Sequence, residues 1–233
     1  MTQATERQAE GHLAWALPEG LDVPPDKLEY RLDIYTEAIL LHQFTDDGTT
    51  TRLVSATDVA KAFTQHLRLS SGVLPEGALW WGTGPEGDEI ALWRKAQVWK
   101  VALVTEAFKP PRRFALPMPG LVFICSAGRP PRVFAAKSRP RDLGWPLCKA
   151  PLFNIMDDAR SCAGTHKYPE RLEEIPESFM VSFFTREGHT EGRSRKHPKD
   201  LLRVWEELDG KKHYPIRDLV PWGTLEKALG LEG

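Results

Sequence analysis

The sequence predicts an α+β fold: an antiparallel β-meander flanked by helices, with a β-hairpin extension on its N-terminal side. Short runs rich in β-branched and aromatic residues recur over 78–136, separated by clusters of Gly, Pro and Asp, which is the pattern of antiparallel strands joined by turns. Helix signals lie on either side of that block: Ser55 or Thr57 as a cap before it, His197-Pro198 and an apolar run over 225–229 after it. Between the strands and the later helices the chain has few regular signals, so a long irregular segment is expected there. Segregated strands and helices of this kind point to α+β rather than to alternating α/β units.

Taken in order, residues 1–27 are polar and carry Pro18, Pro24 and Pro25. They are expected to form a flexible N-terminal arm, with residues 28–233 as one domain that opens on a hairpin over 28–54. Residues 30–44 favour a strand, with Leu32, Ile34, Ile39, Leu40 and Leu41 as its apolar material. Asp46-Asp47-Gly48 is a turn signal, and residues 49–54 return as the hairpin partner. A helix follows whose face carries Val59, Ala60, Phe63 and Leu67, ending near Ser70-Ser71-Gly72. The meander is expected over 78–81, 89–93 and 97–105, with a turn over 82–88. Pro110-Pro111 and Pro117-Met118-Pro119-Gly120 punctuate the path. Residues 121–125 and 133–136 form a strand pair across Gly128-Arg129-Pro130-Pro131. The loop over 138–150 is stiffened by Pro140 and Pro146 around Trp145. Residues 179–184 are a short patch, strand-like or helical. Leu201, Leu202, Val204, Trp205 and Leu208 share a helix stopped by Gly210, and 225–229 form the last short helix.

The chain has 233 residues, 41% hydrophobic and 27% charged, with a formal net charge of −1. That composition gives ample core and no global electrostatic case for nucleic acid or membrane as a partner. The basic run Arg193-Ser194-Arg195-Lys196-His197 sits near Glu187 and Glu191 and reads as a solvated loop. The three cysteines, Cys125, Cys148 and Cys162, are widely spaced and form no CxxC pair. With no leader pattern, free thiols in a reducing cytoplasm are expected.

The chemistry concentrates in 151–170. Cys162 follows Asn154 by eight residues and is flanked by Ala163-Gly164, small neighbours that leave a thiol accessible. A thiolate attacks acyl carbon, and a carboxamide N–H can hold the oxyanion that forms without itself titrating. The same residues also suit a buried structural cysteine after an Asn turn, and that reading stays open. Asp157 and Asp158 would favour the protonated thiol, with Arg160 opposing them. His166 is a candidate base or an ordinary loop histidine. A zinc site from Cys162, His166 and Cys148 lacks a second pair at ligand spacing. Cys125 and Cys148 read as core, Trp80, Trp81, Trp93 and Trp99 as sheet packing, and Glu173-Glu174 and Glu206-Glu207 as solvated faces. No Gly-rich phosphate loop is present, so no cofactor or metal is expected and ATP chemistry belongs to a partner.

That order of elements, with Asn154 and then Cys162, resembles the ubiquitin-conjugating (UBC-fold) enzyme family, whose motif is His-Pro-Asn followed about eight residues on by the catalytic cysteine. Gly128-Arg129-Pro130-Pro131-Arg132-Val133 resembles the family's Pro-Pro turn into its fourth meander strand. Gly72-Val73-Leu74-Pro75-Glu76 before Leu79-Trp80-Trp81, together with Leu152-Phe153-Asn154, is similar to a divergent bacterial branch. That branch includes PRTRC system protein B and the conjugating enzymes of bacterial ubiquitin-like operons. Leu152 and Phe153 replace the family's His and Pro. The resemblance implies a UBC-like fold and a thioester carried on Cys162, with Asn154 as oxyanion donor. It implies as partners an activating (E1-like) enzyme, a ubiquitin-like modifier and a target protein, in some bacterial operons for antiviral defence. A silent UBC-like scaffold and an unrelated cysteine hydrolase using Cys162 and His166 are the competing expectations.

Overall fold

The computed structural model describes residues 28–66, 72–84, 87–106, 109–162, 164–186 and 190–232. The arm expected over 1–27, Leu67 and the helix end near Ser70-Ser71 lie outside the described residues. The chain divides into two compact units, 1–72 and 73–233.

In the first unit, β1 (Tyr30–Ile34), β2 (Ile39–Thr45) and β3 (Gly48–Val54) form an antiparallel sheet in that order, followed by α1 (Ala56–His66). The single run expected over 30–44 is two strands, because Tyr35 N–H donates to Ala38 O at 2.8 Å and reverses the chain. The registers Leu32↔Leu41 and Ile34↔Ile39↔Val54 gather apolar residues on one face. The other face carries a polar relay in which His42 lies 2.9 Å from both Asp33 and Thr51. Ser55, rather than Thr57, caps α1: its Oγ accepts from Asp58 N–H at 3.0 Å and donates to Asp58 Oδ2 at 2.7 Å.

The second unit holds β4 (Ala78–Gly84), β5 (Gly87–Arg94), β6 (Gln97–Val104), β7 (Arg112–Met118), β8 (Gly120–Ser126), β9 (Arg132–Ala136) and β10 (Pro146–Lys149). Then come α2 (Ile175–Val181), β11 (Phe183–Thr185), α3 (Leu201–Leu208), β12 (Pro221–Thr224) and α4 (Leu225–Leu229). An antiparallel sheet runs β12-β10-β9-β8-β5-β4, and a smaller one runs β11-β6-β7. The expected α+β class, antiparallel layout and flanking helices are all present.

Two expectations are corrected. β6 does not continue the meander: β5 pairs with β8, from Glu89↔Ser126 to Arg94↔Leu121, and β6 leaves to pair with β7. Strands β7 and β10 arise where the prolines suggested loops, and β12 lies where no element was expected. Pro146 and Pro221 are first residues of their strands, where a missing N–H disturbs the ladder least. Pro117 sits on the open side of β7, two residues from Ala115, whose N–H also points away from β6. The patch at 179–184 is both things at once, the end of α2 and the start of β11, which runs parallel to β6.

The buried apolar side chains of the described residues lie between Ile90 and Leu229. Trp93 lies across Gly120 so closely that a Cβ there would fall 1.8 Å from the ring. Trp80 covers Gly82 in the same way. These tryptophans therefore pack the sheet. Trp205 ties α3 into the core, edge-on to Phe114, Phe153 and Phe184 at 4.8–5.6 Å.

Candidate active site

Cys162 lies eight positions after Asn154 because the chain between them is a tight hairpin-like loop. Cys162 N–H donates to Asn154 O at 2.7 Å, Ile155 bridges Ser161, and Met156 N–H donates to Arg160 O at 2.8 Å. Asp157 and Asp158 occupy the tip, where Ala159 adopts φ +66 and its N–H donates to Met156 O at 3.1 Å. Asn154 is also left-handed, at φ +59, a conformation that Asn tolerates better than most residues. The loop is hitched to the start of β9. Val133 N–H donates to Ala159 O at 2.9 Å, and Pro131 O accepts from Ser161 N–H at 3.1 Å and Ser161 Oγ at 2.6 Å. The Gly128–Pro131 turn thus supports the segment that carries the thiol.

The Asn154 carboxamide caps the open edge of β11. Its Nδ2 donates to Phe183 O at 3.1 Å, and its Oδ1 accepts from Thr185 N–H at 2.8 Å and Thr185 Oγ1 at 2.9 Å. A side-chain amide here does what a neighbouring strand's peptide group would do. Leu152 and Phe153 are fully buried, so apolar packing anchors the approach to Asn154.

Three downstream side chains, which sequence reasoning did not single out, hold the carbonyls of this segment. Arg193, only 2% exposed, donates from Nη1 to Ala150 O at 3.1 Å and from Nη2 to Ile155 O at 2.5 Å and Met156 O at 2.9 Å. Trp205 Nε1 donates to Pro151 O at 2.9 Å, and Trp222 Nε1 to Asp157 O at 3.0 Å. The basic run at 193–197 is therefore only in part a solvated loop, with Arg195 and Lys196 exposed. Arg193 and Ser194 are buried, and Gly192 N–H and Lys196 N–H are tied to Pro198 O and Asp218 Oδ1. Burial pushes the Arg193 guanidinium down to about 10, with Asp157 opposing, so it remains a cation at neutral pH. No pattern in a single sequence distinguishes a buried arginine from the exposed cations beside it.

The thiols differ sharply in setting. Cys162 is half-buried, whereas Cys125 and Cys148 are buried and burial raises both of their pKa values. The two tip carboxylates have cationic partners: Lys149 Nζ lies 3.2 Å from Asp157, and Arg160 Nε 2.6 Å from Asp158. His166 Nε2 lies 2.8 Å from Ser178 Oγ, its ring edge-on to Tyr168 at 4.8 Å, and no hydrogen bond joins it to Cys162. Tyr168 is a further neighbour of the thiol, and its hydroxyl is pushed up to about 12, first by burial and also by Cys162, with Ser161 opposing. Among the described residues, no group of three His, Cys, Asp or Glu side chains is placed to hold a metal ion. Glu206 pairs with Arg112, and Glu207 gathers Lys196, His197 and Arg203. None of the described helices is long and apolar enough to cross a membrane.

Three clefts of about 520–660 Å³ indent the second unit, and Cys162 lines none of them. A family model described as prokaryotic E2 family D matches residues 51–222. No curated protein and no solved structure matches the chain.

Proposed function

We propose, starting from the fact that the chain belongs to prokaryotic E2 family D, that Cys162 carries a ubiquitin-like protein as a thioester and passes it to a target amine. Membership implies a conjugating transferase that works with an E1-like activating enzyme and a ubiquitin-like modifier. The observation that carries the finer reading is the braced pairing of Cys162 with Asn154, closed by the 2.7 Å bond from Cys162 N–H to Asn154 O.

In the first step the Cys162 thiolate attacks the thioester carbonyl joining the modifier to the activating enzyme's cysteine. The new C–S bond forms as the old one breaks, and the departing sulfur takes up the proton that Cys162 lost. The exchange is nearly isoenergetic, so alignment and access govern its rate. In the second step an amine nitrogen attacks the same carbon and loses a proton, an amide forms, and Cys162 leaves as a thiol. Asn154 would hold the oxyanion through the carboxamide N–H that Phe183 O does not use. Asp157 and Asp158, exposed at the loop tip, would face the incoming amine, and His166 would act only if it exchanges Ser178 for that amine. Placement in the branch with PRTRC system protein B, and a role in antiviral defence, complete this reading.

One observation favours a second reading, a silent scaffold that binds activating enzyme or modifier: both ends of the Asn154 carboxamide serve β11. The test is to mix the protein with an E1-like activating enzyme and a ubiquitin-like modifier from the same organism, plus ATP, and run non-reducing gels. A thiol-sensitive adduct on wild type, lost in Cys162→Ala and thiol-resistant in Cys162→Ser, supports the carrier. A charged activating enzyme that never transfers its cargo supports the scaffold.

A further inference from the structure

We infer that Arg193 is the positioning residue that keeps Cys162 in register with Asn154, an inference that rests on the thioester reading above. The argument begins with a cost. A buried cation is expensive unless its N–H groups are satisfied, and Arg193 is among the largest fully buried side chains of the molecule. It meets that cost with carbonyls drawn from both sides of Asn154: Ala150 O before it, Ile155 O and Met156 O after it. Two adjacent carbonyls on one nitrogen and a third on the other use the planar fork of a guanidinium, which an ammonium cannot reproduce.

The bridged carbonyls lie in the backbone that sets the site. Ile155 is bridged to Ser161 and Met156 bonded to Arg160, while Asn154 O, one residue away, receives Cys162 N–H. Asn154 holds a left-handed φ that its neighbours must maintain. Loss of the fork would take the guanidinium from Ala150 O and Ile155 O, leave Met156 O with Ala159 N–H alone, and free the strand of the loop to which Cys162 is pinned. Arg193 touches no reacting atom, so its effect is on alignment.

The experiment compares wild type with Arg193→Lys and Arg193→Met, each first checked for a cooperative thermal transition. Expected are amide hydrogen exchange of Cys162 at least 10-fold faster in both variants, and a charging rate at saturating activating enzyme reduced by about 10- to 100-fold. The concentration of activating enzyme needed for half-maximal rate should stay unchanged, and Lys should fail to rescue although it keeps the charge. Wild-type exchange at Cys162, an unchanged charging rate, or rescue by Lys would overturn the inference. Should either variant not fold, wild type still decides. The Arg193 guanidinium N–H resonances are expected to shift when iodoacetamide alkylates Cys162, and unshifted resonances would overturn the coupling. If wild type itself never charges, the thioester reading fails, while the exchange and alkylation readouts still test Arg193.

Discussion

Among the described residues are two three-stranded sheets, and they hold together by different means. β1-β2-β3 is a local ribbon in which each strand pairs with its sequence neighbour, and no described side chain of its unit is buried; Ile34 is 70% exposed. β11-β6-β7 is assembled from distant segments, and its inner face places Val101, Leu103, Phe114, Leu116 and Phe184 in the core. Its edges are also met by groups from outside the sheet: Asn154 caps β11, while on β7 Asp209 Oδ1 accepts from Ala115 N–H at 2.7 Å and Gly210 N–H donates to Ala115 O at 3.0 Å. Backbone pairing alone makes a sheet, but burial and capped edges make one that can hold a site in place.

Substitutions should separate the two sheets by size of effect. Trp205→Ala removes the ring that joins Phe114, Phe153 and Phe184, and urea unfolding should show a loss of about 3–5 kcal/mol. Asn154→Ala strips the β11 cap and places an alanine at φ +59, for a loss of about 2–4 kcal/mol. A loss below about 0.5 kcal/mol would show that the cap is dispensable and the carboxamide free for catalysis. In the six-stranded sheet, outside that pair, Gly120→Ala drives a methyl into Trp93 and should cost about 1–3 kcal/mol in the same assay. In the N-terminal sheet, Leu53→Ala removes a side chain that is 71% exposed, and a change above about 0.5 kcal/mol would contradict the comparison.

The smallest expected effect is in pH dependence. Tyr168 has a folded pKa raised above the usual 10 to about 12. The stability it contributes is fully present below pH 10 and is lost as pH rises through 12. A 295 nm titration should lose one late tyrosinate step in Tyr168→Phe, and the loss of a step near pH 10 instead would place that hydroxyl in water.

The sequence alone determined whatever depends on neighbours in the chain. The β2–β3 turn at Asp46-Asp47-Gly48, the Ser55 cap, the β8–β9 pair across the Pro-Pro turn and the amphipathic face of α3 are all local patterns of residue type and period. The eight-residue interval between Asn154 and Cys162 was legible for the same reason, since it is the length of the loop that brings the two backbones together. Tertiary structure decided the rest. Only the fold shows that β5 skips β6 to join β8, that Pro117 lies on the side of β7 away from β6, and that Asn154 spends its carboxamide on β11. Only the fold buries Arg193 beneath Ala150, Ile155 and Met156. In each case the partners lie far apart along the chain. A side chain's type states which hydrogen bonds it can make, but which group it meets is settled only when distant segments pack together.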